Sequence, residues 1–213
     1  FSGCSGLTWV GHGNLANVTT ISGFFNNTPS LTWVDTENYD VRNVRNFAQS
    51  FRQARNLEHL NFSKWQTSSA LEFRAMFDFS NKINPDISSF DFSKVLNDHY
   101  DGWINREYMN RIFSGTAIST ENYTKFLIRF ADDTYGIKHN LTSSPVQYLR
   151  LNLWDVSRYN DPLPKIDVPY TVEACPAIAK LNNLLSDIPQ AVSDGAVGFT
   201  VVDDAGLEGG GSC

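Results

Sequence analysis

One pairing of residue types recurs along the first half of the chain and constrains its fold more than any other feature. An aromatic is followed six residues later by an aliphatic at Phe1/Leu7, Phe25/Leu31, Phe51/Leu57 and Phe77/Ile83, so the pair repeats after 24, 26 and 26 residues. A shortened copy follows at Phe113/Ile118. Other columns keep the same period. Val10, Val34 and Leu60 lie three residues after the aliphatic; Val18, Val44 and Ala70 lie seven before the closing Phe; Ile21, Phe47 and Phe73 come three residues later still. A fixed set of apolar positions at one period is the mark of stacked units, because one unit of this size cannot bury its own apolar face and must hide it against the next.

The two halves of each unit differ. Val44-Arg45-Asn46-Phe47-Ala48-Gln49-Ser50-Phe51 places apolar residues at i, i+3 and i+7, a helical spacing, whereas Leu57-Glu58-His59-Leu60-Asn61-Phe62 reads as one strand and turn. The pattern predicts a strand followed by a short helix or 3₁₀ turn in each unit. In that register Phe25, Phe51, Phe77 and Phe113 form an inward ladder. Glu37, Asn38, Tyr39, Lys64 and Trp65 fall at turns, where they are expected to be exposed and to form a continuous surface. Phe1 occupies the column that ends a unit, from which a further unit or cap is expected before it.

The run Ala75-Met76-Phe77, continuing as Ile83-Asn84-Pro85-Asp86-Ile87-Ser88-Ser89-Phe90-Asp91-Phe92-Ser93-Lys94-Val95, resembles the BspA-type leucine-rich repeat. Units of that family read approximately M-F-x-x-A-x-x-F-N-x-D-I-S-x-W-D-V-S-x-V. The segment Ile118 to Ala131 resembles the helix that often closes such arrays. The sequence departs from the pattern at Trp9-Val10-Gly11-His12-Gly13 and at Trp65-Gln66-Thr67-Ser68, which affects local turns. The resemblance implies an α/β solenoid, a leucine-rich-repeat-like right-handed coil stack with an α/β C-terminal cap. It also implies surface or secreted proteins used in adhesion, and repeats of this kind are at home on phage tails and fibres.

Three regions are expected: the solenoid over 1–117, the cap over 118–205 and a flexible tail over 206–213. In the cap, Ser119 is placed to open a helix to about Ala131, with Tyr123, Phe126, Leu127 and Phe130 on one face against the end of the stack. A strand over 148–154, a second helix over about 172–188 and a last strand over 198–202 follow. The closing Gly-Gly-Gly-Ser run has linker composition.

With 213 residues, 41% apolar, the chain can bury a sizeable core. No run approaches the roughly 18 apolar residues of a spanning helix. A net charge of −6, with no run of four cations, argues against a nucleic-acid surface or an anionic membrane as partner. Cys4, Cys175 and Cys213 are too few for a disulfide framework, and a Cys4–Cys175 bridge would have to span the whole chain. The sequons at Asn17, Asn26, Asn61, Asn122 and Asn140 carry little weight in so Asn-rich a chain.

Signatures of catalysis are absent: there is no HExxH, GxSxG, P-loop or GxGxxG, and His12, His59, His99 and His139 stand far apart. Asp35, Glu37 and Asp40, or Asp98 and Asp101, match no twelve-residue calcium loop. The sequence therefore predicts a non-enzymatic module without metal or cofactor. One irregularity remains. From Val95 to Phe113 is 18 residues where regular units take seven, an insertion of about 11 near 96–107 containing Asp98, Tyr100, Asp101 and Trp103. Insertions in repeat arrays fall on one face, often the binding face. Trp103 could stack on a ligand or fold back over the last unit. The candidate ligand-binding residues are Tyr100, Trp103, Asp98, Asp101, Tyr39 and Trp65. The expected partner is a protein or glycan on another cell, with an extracellular location at a cell or virion surface. The alternative is a structural or decorating subunit of a filament, capsid or appendage that contacts copies of itself.

Overall fold

The computed structural model describes residues 1–95, 109, 111–135 and 171–186. The expected insertion, the strands over 148–154 and 198–202 and the tail lie outside these residues.

Successive units pair in parallel. β1 (Trp9–Val10) and β2 (Trp33–Val34) align Trp9 with Trp33 and Val10 with Val34, and isolated parallel bridges join Trp33 to His59, Thr20 to Asn46 and Asn46 to Glu72. These partners are one repeat apart, so the sequence period is also the register of the backbone pairing. The inward columns are closed to solvent: Leu31, Leu57, Val44, Ala70, Phe47 and Phe73 are all fully buried. The aromatic ladder runs through them, with Phe25 and Phe51 at 5.5 Å and Phe51 and Phe77 at 5.9 Å, each pair stacked. Phe1 stacks on Phe25 at 5.6 Å and is 50% exposed.

The second half of each unit forms neither of the two expected alternatives, a short helix or a 3₁₀ turn. Its backbone makes consecutive tight turns in which N–H groups alternate between two destinations. Ile21, Gly23, Phe25 and Asn27 donate to Asn46, Ala48, Ser50 and Arg52 of the next unit, at 2.7–3.0 Å. Phe47, Gln49, Phe51 and Gln53 donate in the same way to Glu72, Arg74, Met76 and Asp78. The intervening residues bond within their own unit three residues back, as Phe24 to Ile21 and Ser50 to Phe47. The cause is a left-handed residue at every fourth position: Gly23, Gln49, Ala75 and Arg111 in one column and Asn27, Gln53, Phe79 and Gly115 in the next, with φ between 53° and 67°. A helix cannot pass through such a residue, so its hydrogen bonds go to the neighbouring unit instead. The i, i+3, i+7 spacing suits this four-residue rhythm as well as it suits 3.6. At Gly115 the contact is close as well as left-handed, since a Cβ there would lie 3.3 Å from the Phe79 Cα.

The same ladder continues past the expected insertion, with Phe77 N–H donating to Ile112 O at 3.3 Å and Phe79 N–H to Ser114 O at 2.8 Å. Phe113 is therefore the positional successor of Phe77.

Helix α1 (Thr120–Tyr135) begins where expected, with the Ser119 hydroxyl accepting the Asn122 N–H at 3.2 Å. It runs a turn beyond Ala131 because the polar residues there are satisfied. Asp132 pairs with Lys180, Asp133 with Arg129 and the Phe92 N–H, and the Thr134 hydroxyl donates to Phe130 O. Its apolar face packs on the fourth unit: Phe126 meets Phe92 at 5.6 Å and Phe113 at 4.9 Å, and Phe130 meets Phe92 at 5.4 Å. A 3₁₀ turn over Val172–Ala174 leads into α2 (Cys175–Ser186), which packs on α1 and adds Ala174, Ala177 and Leu181 to the core. Cys175 is disulfide-bonded while Cys4 is free and exposed, so the two do not form the bridge that spans the chain.

Candidate recognition surface

Tyr39 and Trp65 require a correction. They are only 4% and 3% exposed, whereas the turn reading placed them at the surface. They share a single inward column that continues in Phe90, which stacks on Trp65 at 5.8 Å and 5°. Each passes its polar edge to a carbonyl of the preceding unit: the Tyr39 hydroxyl donates to Gly11 O at 3.1 Å and the Trp65 Nε1–H to Thr36 O at 2.7 Å. A large ring can be buried this way because its one donor is satisfied. Their neighbours Asn38 and Lys64 are exposed as expected, and Lys64 pairs with Glu37 at 2.9 Å. Tyr100, Trp103, Asp98 and Asp101 lie outside the described residues.

Burial, reinforced by the Asp35 carboxylate, pushes the Tyr39 phenol up to about 12. Its folded value is thus above the unfolded value of about 10, so its contribution to stability is complete below about pH 10 and lost as pH rises through about 12. Tyr39→Phe removes this titration along with one hydrogen bond. Urea unfolding of both chains from about pH 8 to about pH 12 should show the stability advantage of the parent shrinking above pH 10. A gap that stays constant would rule the assignment out.

The residues that do reach solvent are different ones. Trp9 and Trp33 are 62% and 42% exposed, sit directly opposite each other in β1 and β2, and hold their rings 5.9 Å apart at 52°. The next position in this column is exposed His59, bridged to Trp33. This ladder is not among the site residues expected from the sequence. Its signal was available in the period itself, since Trp9, Trp33 and His59 each stand one residue before the Val10, Val34 and Leu60 column.

The backbone under the ladder is fixed. Thr32 donates both its N–H and its hydroxyl to Thr8 O, at 2.9 and 3.0 Å, and Asp35 N–H donates to Val10 O at 3.0 Å. Gly11 gives the Trp9 ring its resting place, because a Cβ there would come within 3.0 Å of Trp9 Cζ3. Polar groups of these units pair with one another. The Asp35 carboxylate accepts from Asn38 Nδ2 at 2.9 and 3.0 Å and stands 3.7 Å from His12 Nδ1, and Glu58 pairs with Lys82 at 2.7 Å.

A polar groove of about 670 Å³ crosses the units elsewhere. Its lining is Asn17, Asn43, Ser69 and Lys94, at equivalent positions of successive units, together with Thr19, Arg45 and Leu71 two residues further on. Among the described residues, no three His, Cys, Asp or Glu side chains gather in a metal-holding group, and no helix is long and apolar enough to cross a membrane.

The sequence profile of a family described as "Mycoplasma protein of unknown function, DUF285" matches residues 1–112. The chain belongs to the DUF285 family. The family match takes in the whole Trp9–Trp33–His59 ladder and every residue of the polar groove, while α1 and α2 lie beyond it. No curated protein and no solved structure matches the chain.

Proposed function

We propose that the chain is a non-enzymatic recognition module displayed outside the cell, at a cell or virion surface, where it binds a protein or glycan of another cell. In this reading residues 1–117 form a right-handed leucine-rich-repeat-like solenoid closed by an α/β cap, as in the BspA-type surface proteins that the repeat resembles. One observation carries it: two tryptophans on neighbouring, hydrogen-bonded units are held in solvent, at 62% and 42% exposure, while of the other large aromatics up to Phe92 only Phe1, at the head of the ladder, and half-buried Phe24 reach solvent. Stability gives no reason to hold indoles in water, and exposed aromatics on a rigid backbone are the residues that binding surfaces use. The disulfide at Cys175 agrees with an oxidising compartment.

The test is a labelled chain applied to a panel of intact bacterial and animal cells, with Trp9→Ala/Trp33→Ala as comparison and light scattering to give the mass. A monomer that binds at least one cell type, about tenfold or more weaker in the double variant, supports the reading. Concentration-dependent assembly that the same variant abolishes would make the ladder a self-contact and the chain a structural subunit.

A further inference from the structure

We propose that the Trp9–Trp33–His59 ladder is a stacking platform for a neutral β-linked oligosaccharide whose sugar rings advance along the stack, one per unit. The proposal rests on the recognition reading and names the chemistry of its ligand.

The first argument is shape. Parallel neighbours in a sheet stand about 4.8 Å apart, so a column repeated once per unit presents a ring at each step of that size. The two indoles follow that order at a wider spacing, with centroids at 5.9 Å and planes tilted by 52°. A linear chain of pyranoses advances by a similar step per sugar. In β-linked hexopyranoses the hydroxyls lie mostly around the equator, which leaves flat faces of C–H bonds. Those slightly positive hydrogens suit the negative face of an aromatic ring.

The second argument is the size of the apolar surface. The positions just before the rings, Thr8, Thr32 and Glu58, are exposed and polar, and a few residues further along the same two units His12, Asp35 and Asn38 form a polar cluster of their own. The apolar residues that flank them in sequence, Leu7, Val10 and Leu60, are half-buried and packed against the core, and Leu31 and Val34 are fully buried, so the two indoles carry most of the exposed apolar surface of this column. A protein partner would need an apolar patch of several hundred Å² to supply the desolvated centre of an interface. A sugar needs only the ring face, with hydrogen-bonding groups for its hydroxyls, and these residues supply amide, hydroxyl, imidazole and carboxylate.

The third argument is charge. Both carboxylates already hold partners, Asp35 with Asn38 and His12, and Glu58 with Lys82. The chain carries −6 overall, which repels an acidic polysaccharide. A neutral chain meets neither obstacle. The backbone beneath is pinned by the Thr32–Thr8 and Asp35–Val10 hydrogen bonds, so little ordering is needed on binding.

The experiment titrates cellohexaose, chitohexaose and, as an acidic control, a galacturonic acid hexamer into the full chain, read by calorimetry and tryptophan fluorescence. At least one neutral hexamer should bind saturably, with little dependence on salt. Trp33→Ala should weaken it by about tenfold or more, the scale of losing one stacked ring, while Trp33→Phe should stay within about threefold of the parent. Circular dichroism confirms that the variants are folded, and Trp9→Ala provides a second, independent variant. Absence of binding by either neutral hexamer at millimolar concentration, preference for the acidic hexamer, or binding indifferent to both tryptophans would overturn the inference. If cell binding still falls in the tryptophan variants while the neutral hexamers fail, the ladder reads a protein and the recognition reading stands. If both fail, both readings fall.

Discussion

Phe51→Ala lowers the unfolding free energy by about 3–5 kcal/mol, the usual cost of truncating a fully buried phenylalanine. Phe51 is 1% exposed, and its ring lies between those of Phe25 at 5.5 Å and Phe77 at 5.9 Å, with the Phe62 edge at 6.0 Å. Truncation therefore leaves a hole between two unit interfaces rather than at one surface. In a stack where each unit touches only its neighbours, stability is close to a sum of units and interfaces, so damage at an interior step weakens both sides of it. The backbone offers no easy collapse, because Phe51 N–H is tied to Met76 O at 2.9 Å and the Ser80 hydroxyl donates to Phe51 O. Urea unfolding followed by circular dichroism measures the loss, with Phe1→Ala as the internal comparison. Phe1 heads the same ladder but is half exposed and stacks on one side alone, so its truncation should cost about a third as much or less. Equal costs at the two positions would mean that the ladder is not the core of the stack.

The period made the core readable from the sequence, because hydrophobic burial acts on residue type and residue type repeats. The ladder of phenylalanines, the inward face of α1 and its Ser119 cap all follow from spacing alone. Backbone conformation in the second half of each unit did not, and the reason is specific. The left-handed positions are occupied by Gly23, Asn27 and Gly115, which signal a turn, but also by Gln49, Gln53, Ala75, Phe79 and Arg111, which do not. Of these, Gln49, Gln53 and Phe79 donate their N–H groups to the next unit, a tertiary effect that no local pattern records.

Aromatic placement divides along the same line. Tyr39 and Trp65 were read as surface residues because they lie near polar turns, yet a single carbonyl within reach of each polar edge was enough to bury them. Trp9 and Trp33 occupy a column beside the apolar one and are exposed, because in each unit the positions three apart, Leu7 and Val10 or Leu31 and Val34, turn towards the core and leave the two residues between them outside. Hydropathy alone ranks all four tryptophan and tyrosine side chains alike. Register decides between them, and register is legible once columns are compared residue by residue across units.

A charged cluster inside this largely apolar stack gives the second large effect. Asp78 is 1% exposed and sits between two guanidiniums, Arg52 Nε at 3.0 Å and Arg111 Nη2 at 3.0 Å, and Arg111 also lies over the Phe79 ring at 5.2 Å. Burial raises the Asp78 carboxyl above its ordinary value even against the pull of Arg111 and Arg52. Desolvation therefore outweighs the attraction, and the cluster adds little net stability while its parts depend strongly on one another. Asp78→Ala should accordingly destabilise the chain by about 3–5 kcal/mol, because it removes the buried carboxylate that Arg52 and the 7% exposed Arg111 both hold. Arg111→Met alone should also be costly, since Asp78 keeps only the more exposed Arg52. The double variant should recover about 1–3 kcal/mol of the summed losses, as expected for residues in direct contact. Unfolding by urea at neutral pH of the parent, both single variants and the double variant completes the cycle. Strict additivity would show that the two side chains do not act as a pair, whereas a large coupling would place the specificity of the Phe77-to-Phe113 step, the one that spans the long interval, in this buried ion cluster rather than in the ring stack.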